Sequence, residues 1–205
     1  MSWYEDRVLP RLVNLACSSK PTRKQREKVV PLASGDVLEV GFGSGLNLPH
    51  YDRSKVRRIW GLEPSDGMRR LAQGAVDEAD LDVEFIDRPC EEVPLDDDSV
   101  DTVLVTYTLC TIPEPEEALE GLRRVLKPRG RLLFCEHGKA PDESVLRWQE
   151  RLNPIWRRVA GGCNIHRDIP GLLNAAGFLI EEDNRMYIPG ARPLSYNYWG
   201  SARIR

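Results

Sequence analysis

The stretch Val37-Leu38-Glu39-Val40-Gly41-Phe42-Gly43-Ser44-Gly45 constrains this chain more than any other. Four residues of strand character run directly into three glycines at alternate positions. Glycine has no Cβ, so the backbone there can turn sharply and approach a bound molecule closely. A helix beginning near Leu46-Asn47-Leu48 is expected to aim free N–H groups and a positive dipole end at that molecule. Spacing narrows the ligand. A dinucleotide-binding turn follows G-x-G-x-x-G, which would put its third glycine where Leu46 stands. Here the third glycine, Gly45, comes one residue early, and Glu39 lies two positions before the first. A carboxylate at that place repels a pyrophosphate and suits the amino group of a methionine moiety, reached directly or through water. The pattern favours S-adenosylmethionine over NAD.

A second carboxylate stands where a ribose would need it. Glu63 follows the apolar run 58–62 (RIWGL), and its two oxygens can accept from both hydroxyls of an adenosine ribose. Taken alone, it reads equally as a surface glutamate at a strand end. Pro64 and Met68 offer apolar surface to the ribose and adenine, or plain packing.

Residues 37–40, 58–62, 83–86, 100–106 and 131–135 read as strands, several of them apolar on consecutive positions. That is the pattern of strands covered on both faces. Segments 65–79 and 115–127 have helical spacing, with Ser65 and Pro115 as starts and Pro128-Arg129-Gly130 as a stop. Strand–helix alternation predicts an α/β, Rossmann-like, mostly parallel sheet with helices on both faces. Residues 178–188 and 196–204, separated by Pro189-Gly190, read as an antiparallel pair closing it. The stripe over 3–16 (Trp3, Tyr4, Val8, Leu9, Leu12, Val13, Leu15), interrupted by Pro10, reads as a helix packed on the sheet rather than a lid. In 144–160, Trp148, Leu152 and Trp156 are spaced four apart on one face, which reads as a buried core stripe or, following the fifth strand, as a cover over the acceptor site; Pro154 predicts a kink or break. The expected organisation is one domain over 1–205. It comprises an N-terminal helical cap (1–33), a cofactor-binding core (34–138), and a helical cover with closing strands (139–205).

The formal net charge of -3 argues against a general nucleic-acid binder. The basic run 20–28 (KPTRKQREK) reads as a solvated face, with contact to an anionic substrate or membrane surface as the sharper alternative. Five cysteines, at 17, 90, 110, 135 and 163, form no CxxC pair. No zinc site or disulfide framework is expected, and a reducing cytoplasm is the natural setting. The opening MSWYEDRVLPRLVNLAC fails as a signal peptide, and no apolar run approaches the ~20 residues of a membrane span. Peripheral membrane contact stays open, as does oligomeric state.

LEVGFGSG, GLEPS, CEEVPLDDDSVDTV and ALEGLRRVLKPRGRLLFCEHG, in that order, resemble the successive motifs of class I methyltransferases over roughly residues 36–138. The resemblance implies a seven-stranded sheet with its last strand antiparallel, and S-adenosylmethionine as cofactor with S-adenosylhomocysteine as product. It also implies that Cys90 and Glu91 border the adenine, partly through backbone groups, although Pro89 stands where the family usually has an acidic residue. A narrower resemblance, carried by TYTLCTI, FCEHG, RLNPIW and GGCNIHRDIPGLLNAAGF, is to the alkyl-thiol S-methyltransferases known as methyltransferase-like protein 7 and their bacterial relatives. Microsomal members begin with a membrane-anchoring segment, and residues 1–17 do not read as one.

Cofactor contacts are therefore expected from Glu39, Gly41, Gly43, Gly45, Asn47, Glu63, Pro64, Met68, Cys90, Glu91 and Thr106. The acceptor pocket is expected beyond the fourth and fifth strands, bordered by Thr106-Tyr107 and Glu136-His137. His137 is the candidate base, against a structural histidine at a strand end. Asn164 and Arg167 are expected to orient the acceptor, with capping of the following helix or plain packing as equal alternatives. Cys163 need not act as a nucleophile, because direct transfer uses none and requires no metal. His50 is expected on the surface. The expected reaction is methylation of a small or alkyl thiol. N- or O-methylation of a lipid head group or other metabolite, or a non-catalytic cofactor-binding module, are the alternatives.

Overall fold

The computed structural model describes residues 8–205; Trp3 and Tyr4 lie outside the described residues. Seven strands form one sheet in the order β3-β2-β1-β4-β5-β7-β6. They are β1 (Gly35–Val40), β2 (Val56–Leu62), β3 (Val83–Ile86), β4 (Val100–Thr106), β5 (Leu126–His137), β6 (Phe178–Tyr187) and β7 (Tyr196–Ile204). All neighbours are parallel except β7, which runs antiparallel to both β5 and β6. The last strand alone is reversed, as the resemblance implies.

Strand side chains alternate between two cores. Leu38, Val40, Val103, Val105, Leu132 and Phe134 face the cluster closed by α4 (Pro115–Val125), α5 (Glu143–Val159) and α6 (Ile169–Ala175). Val37, Ile59, Leu104, Leu133 and Cys135 face the opposite cluster, under α2 (Lys20–Val29) and α3 (Asp66–Ala79). Covering on both faces explains why these strands read as continuous apolar runs. Register then sets the site. Val40 pairs with Leu62 on one side and with Val105 on the other. Gly41, Glu63 and Thr106 consequently leave the sheet at one edge, where the strand order switches direction and α/β sheets bind ligands.

Helix α3 begins as its sequence requires, with the Ser65 side chain accepting from Met68 N at 3.3 Å. Ser65→Ala is expected to cost about 1 kcal/mol in thermal or denaturant unfolding.

Several expectations are corrected. No α-helix follows the glycine turn; a single 3-10 turn, Leu48–His50, stands there. The Asp52 side chain takes the N–H of Ser54 at 3.0 Å, closing a turn that returns the chain to β2. His50 is half-buried in that short turn rather than on the surface. Helix α4 stops at Val125, before Pro128-Arg129-Gly130, and β5 begins at Leu126. Pro128 disfavours the helical region for Lys127, which hastens the exit. Helix α5 runs unbroken through Pro154; its freed carbonyl belongs to Glu150, an exposed residue that water can satisfy.

The buried face of α5 is also rotated from expectation. Trp148 and Leu152 are exposed, at 55% and 38%, while Gln149 and Asn153 are buried. Gln149 donates to the carbonyls of Gly138, Ile165 and Pro193 and accepts from Ala140 N. Satisfying these buried backbone groups outweighs the burial of a tryptophan. Among the described residues, no helix is long and apolar enough to cross a membrane.

Candidate active site

A cavity of about 490 Å³ opens at the switch point. Its floor comes from the glycine turn and from the ends of β2, β4 and β5, and α1 (Leu9–Cys17) closes it from above. Leu9, Pro10, Val13, Asn14 and Cys17 line it, and Ser44 Oγ lies 2.6 Å from Asn14 Oδ1. Helix α1 is thus a lid as well as a packed helix. Its cavity-facing residues occur at helical spacing, and Leu12 and Leu15 point to solvent.

On the β1–β2 side, Gly41 and Gly43 line the cavity with φ of 66° and 60°. A Cβ on Gly41 would stand 2.3 Å from Thr108 Oγ1, so glycine there serves both backbone conformation and space. Gly45 is turned away, against Leu48 and Ala75. Glu63 lines the cavity and accepts from Gly43 N at 2.8 Å and from Ser65 N at 2.9 Å. Burial pushes its carboxyl up, against those two bonds. Each oxygen keeps a lone pair for a further donor. Met68 lines the cavity, whereas Pro64, Cys90 and Glu91 do not. The Cys90 side chain is in the core, and Glu91 accepts instead from Glu114 N at 3.4 Å.

Asn47 ties the turn to β4. Its Nδ2 donates to Glu39 Oε1 and to Thr106 Oγ1, both at 2.9 Å. Those bonds fix the amide orientation and leave Asn47 Oδ1 buried without a partner among the described residues. Glu39 itself does not line the cavity; its other oxygen accepts from Tyr51 OH at 2.5 Å. Burial lifts Glu39 to about 7 despite these donors. An orphaned acceptor beside a buried carboxyl fits the ammonium of a methionine moiety, and Glu63 fits a ribose. The donor-side residues therefore fit S-adenosylmethionine.

The β4–β5 side carries different chemistry. Tyr107 lies at φ 55°, an uncommon conformation for a bulky residue, and its hydroxyl donates to Asn197 Oδ1 at 2.7 Å. Its ring stacks with His137 at 6.4 Å. His137 Nε2 lies 3.1 Å from Cys163 Sγ, and Trp156 Nε1 donates to the same sulfur at 3.3 Å. Cys110 joins them. The ligating atoms of Cys110, His137 and Cys163 all fall within 4.8 Å of one another. The Cys110 thiol and the His137 imidazole hold Cys163 well below the usual thiol range, while Cys110 is driven up. The spacing of these cysteines gave no hint of a site, because the turn after β4, the end of β5 and the loop after α5 bring the side chains together.

Arg26 is the other residue that sequence reasoning missed. The basic run forms α2, and Arg26 is only 4% exposed rather than on a solvated face. It lines the cavity, sits 5.0 Å over the Tyr107 ring, donates to Cys17 O at 2.8 Å, and keeps a buried Nε without a partner among the described residues.

Three expected pocket residues are elsewhere. Glu136 is fully buried and outside the cavity lining, because strand neighbours alternate faces and His137 takes the cavity side. Its Oε1 accepts from Thr108 N and Leu109 N at 2.7 and 3.1 Å, and burial lifts it to about 7. Asn164 donates to the carbonyls of Cys110 and Gly162, and Arg167 to those of Leu109 and Ile112. Neither lines the cavity, and the cap of α6 is Asp168, which accepts from Gly171 N at 3.0 Å. Arg167→Leu is expected to lower stability by about 1.5 kcal/mol in thermal or denaturant unfolding.

Fold and donor site together define a class I methyltransferase domain. Residues 38–134 match the family model described as a methyltransferase domain. The human thiol S-methyltransferase TMT1B is 34% identical over 142 residues, which is 66% of this chain and 57% of that protein. Demethylmenaquinone methyltransferase of Clavibacter sepedonicus is 34% identical over 124 residues, covering 58% of this chain and 48% of that one. The matches span about half the length of these relatives. A SAM-dependent methyltransferase from Aquifex aeolicus superposes with a TM-score of 0.63 at 19% identity, covering 96% of this chain and 98% of the other. The chain has the fold of the class I S-adenosylmethionine-dependent methyltransferases, and its residues 38–134 match their domain model.

Proposed function

We propose that this chain methylates a small or alkyl thiol, using S-adenosylmethionine as donor. The observation that carries the acceptor class is the β4–β5 half of the cavity. Its walls include Leu9, Ile165, Ile188 and Leu194, and its polar groups include the Cys110–His137–Cys163 cluster, Tyr107 and Arg26, with Glu136 turned away. An apolar wall suits an alkyl chain. A thiol also asks for less base catalysis than a hydroxyl or an ammonium, since its ordinary pKa is near 8.5. The similarity to thiol S-methyltransferases supports the same reading.

Glu63 holds the ribose hydroxyls, and Asn47 Oδ1, with Glu39 behind it, takes the methionine ammonium. Bound there, S-adenosylmethionine supplies a methyl group already activated on a sulfonium sulfur. The protein's share of the work is alignment and exclusion of water. Helix α1 and the Tyr107–His137 wall close the cavity around the acceptor, and the Arg26 guanidinium favours its thiolate form. His137 is already engaged by Cys163, so it orients that cluster rather than acting as a free base.

A transfer assay with isotopically labelled methyl donor over a panel of thiols, amines and phenols tests the proposal. Alkyl thiols are expected to turn over fastest; turnover of amines or phenols in their place refutes the thiol assignment.

A further inference from the structure

Cys110, His137 and Cys163 are more than a polar patch. We propose that they form a three-ligand site for a zinc-class divalent ion, with the fourth coordination position open to the cavity. Two cysteine sulfurs and one imidazole are a donor set that suits zinc, and catalytic zinc sites pair three protein ligands with one exchangeable position. Zinc–sulfur bonds of about 2.3 Å and zinc–nitrogen bonds of about 2.0–2.1 Å place tetrahedral ligand atoms about 3.5–3.8 Å apart. The three atoms here lie within 4.8 Å of one another, with Cys163 Sγ and His137 Nε2 at 3.1 Å. They already span one face of such a tetrahedron.

The surroundings hold the three side chains in place. Asn164 N and Nδ2 donate to Cys110 O at 2.8 and 3.3 Å, tying the loop of Cys163 to the turn of Cys110. Arg167 clamps the carbonyls on either side of that turn, at Leu109 and Ile112. His137 is fixed by β5 pairing with Asn197 of β7. Trp156 Nε1 donates to Cys163 Sγ at 3.3 Å, an outer-shell N–H of the kind that orients and tunes a thiolate ligand. All three ligands line the cavity, together with Ala160 and Ile165. No carboxylate among the described residues joins the cluster.

The open position gives the cluster a role that rests on the thiol reading above. An acceptor thiol displaces a metal-bound water there; the metal–sulfur bond forms, and the thiol proton passes to solvent. The sulfur is then held as a thiolate facing the cofactor side of the cavity.

The full chain, reduced with a phosphine and freed of metal by chelation, is titrated with Co2+ alone. One equivalent is expected to produce thiolate-to-cobalt charge-transfer absorption and tetrahedral d–d bands, both removed by Zn2+. Cys110→Ser, Cys163→Ser and His137→Ala should each weaken cobalt binding about tenfold or more, with circular dichroism and S-adenosylmethionine affinity retained as evidence of folding. Glu63→Ala should leave the cobalt spectrum intact. Absence of charge transfer at one equivalent, or full binding by folded Cys163→Ser, overturns the site. Ethanethiol added to the cobalt-loaded chain should shift the charge-transfer bands. An unchanged spectrum, or loss of cobalt by Cys17→Ala, overturns the open position. The acceptor panel judges the thiol reading separately, because it requires no metal spectrum.

Discussion

Glu63→Ala is expected to weaken S-adenosylmethionine binding about 100-fold, roughly 2.7 kcal/mol, in calorimetric titration. Glu63 has two tasks at the edge where β2 leaves the sheet. Its oxygens accept from Gly43 N and Ser65 N, bracing the glycine turn against the start of α3. Their remaining lone pairs are the ribose acceptors proposed above. Hydrogen bonds to a charged group contribute about 1.5–3 kcal/mol each, so losing two, partly replaced by water, gives the stated figure. Stability should change far less, because burial already disfavours the Glu63 carboxylate. Glu63→Gln supplies the intermediate case: one oxygen still accepts, while the new amide confronts an N–H donor. An affinity unchanged by Glu63→Ala would place the ribose elsewhere.

What was legible in the sequence is what neighbours in the chain encode. The glycine turn, Glu63 and the cap at Ser65 each sit within a few residues of a strand end, so a local pattern identifies them. The parallel sheet follows from apolar runs that must be covered on both faces. What was not legible depends on side-chain direction and on meetings between distant loops. Cys110, His137 and Cys163 come from the β4 turn, the end of β5 and the loop after α5. Arg26 was hidden because a run of like residues does not reveal which one faces inward. Glu136 and His137 are adjacent, yet pleating sends only His137 into the cavity. Asn164 and Arg167 have the right chemistry for an acceptor site but spend it on backbone carbonyls. The α5 stripe misled for a related reason, since Gln149 and Asn153 meet backbone groups that no periodicity records.

Cofactor affinity is expected to rise about 20-fold between about pH 5.5 and about pH 7.5, with release of about one proton on binding near pH 6. The source is Glu39. Burial raises its carboxyl from 4.5 to about 7, so the free folded chain favours the protonated form over the lower part of that range, up to about pH 7. Its contribution to stability is therefore full below the unfolded value and is lost as pH rises through about 7. Tyr51 OH, 2.5 Å away, can accept from the protonated carboxyl as readily as it donates to the ionised one. An ammonium on Asn47 Oδ1 reverses the preference, because a positive charge beside the Asn47–Glu39 pair favours the carboxylate. Binding and proton release are then one equilibrium, visible as a dependence of calorimetric enthalpy on buffer ionisation. Melting curves would mix this signal with Glu136, which is also lifted to about 7, but Glu136 does not line the cavity. Glu39→Gln separates the two: it should flatten the pH dependence of binding and leave the Glu136 contribution to stability in place. A wild-type affinity that stays level across this range would disconnect Glu39 from the ammonium and leave Asn47 Oδ1 as its sole anchor on the β1 side.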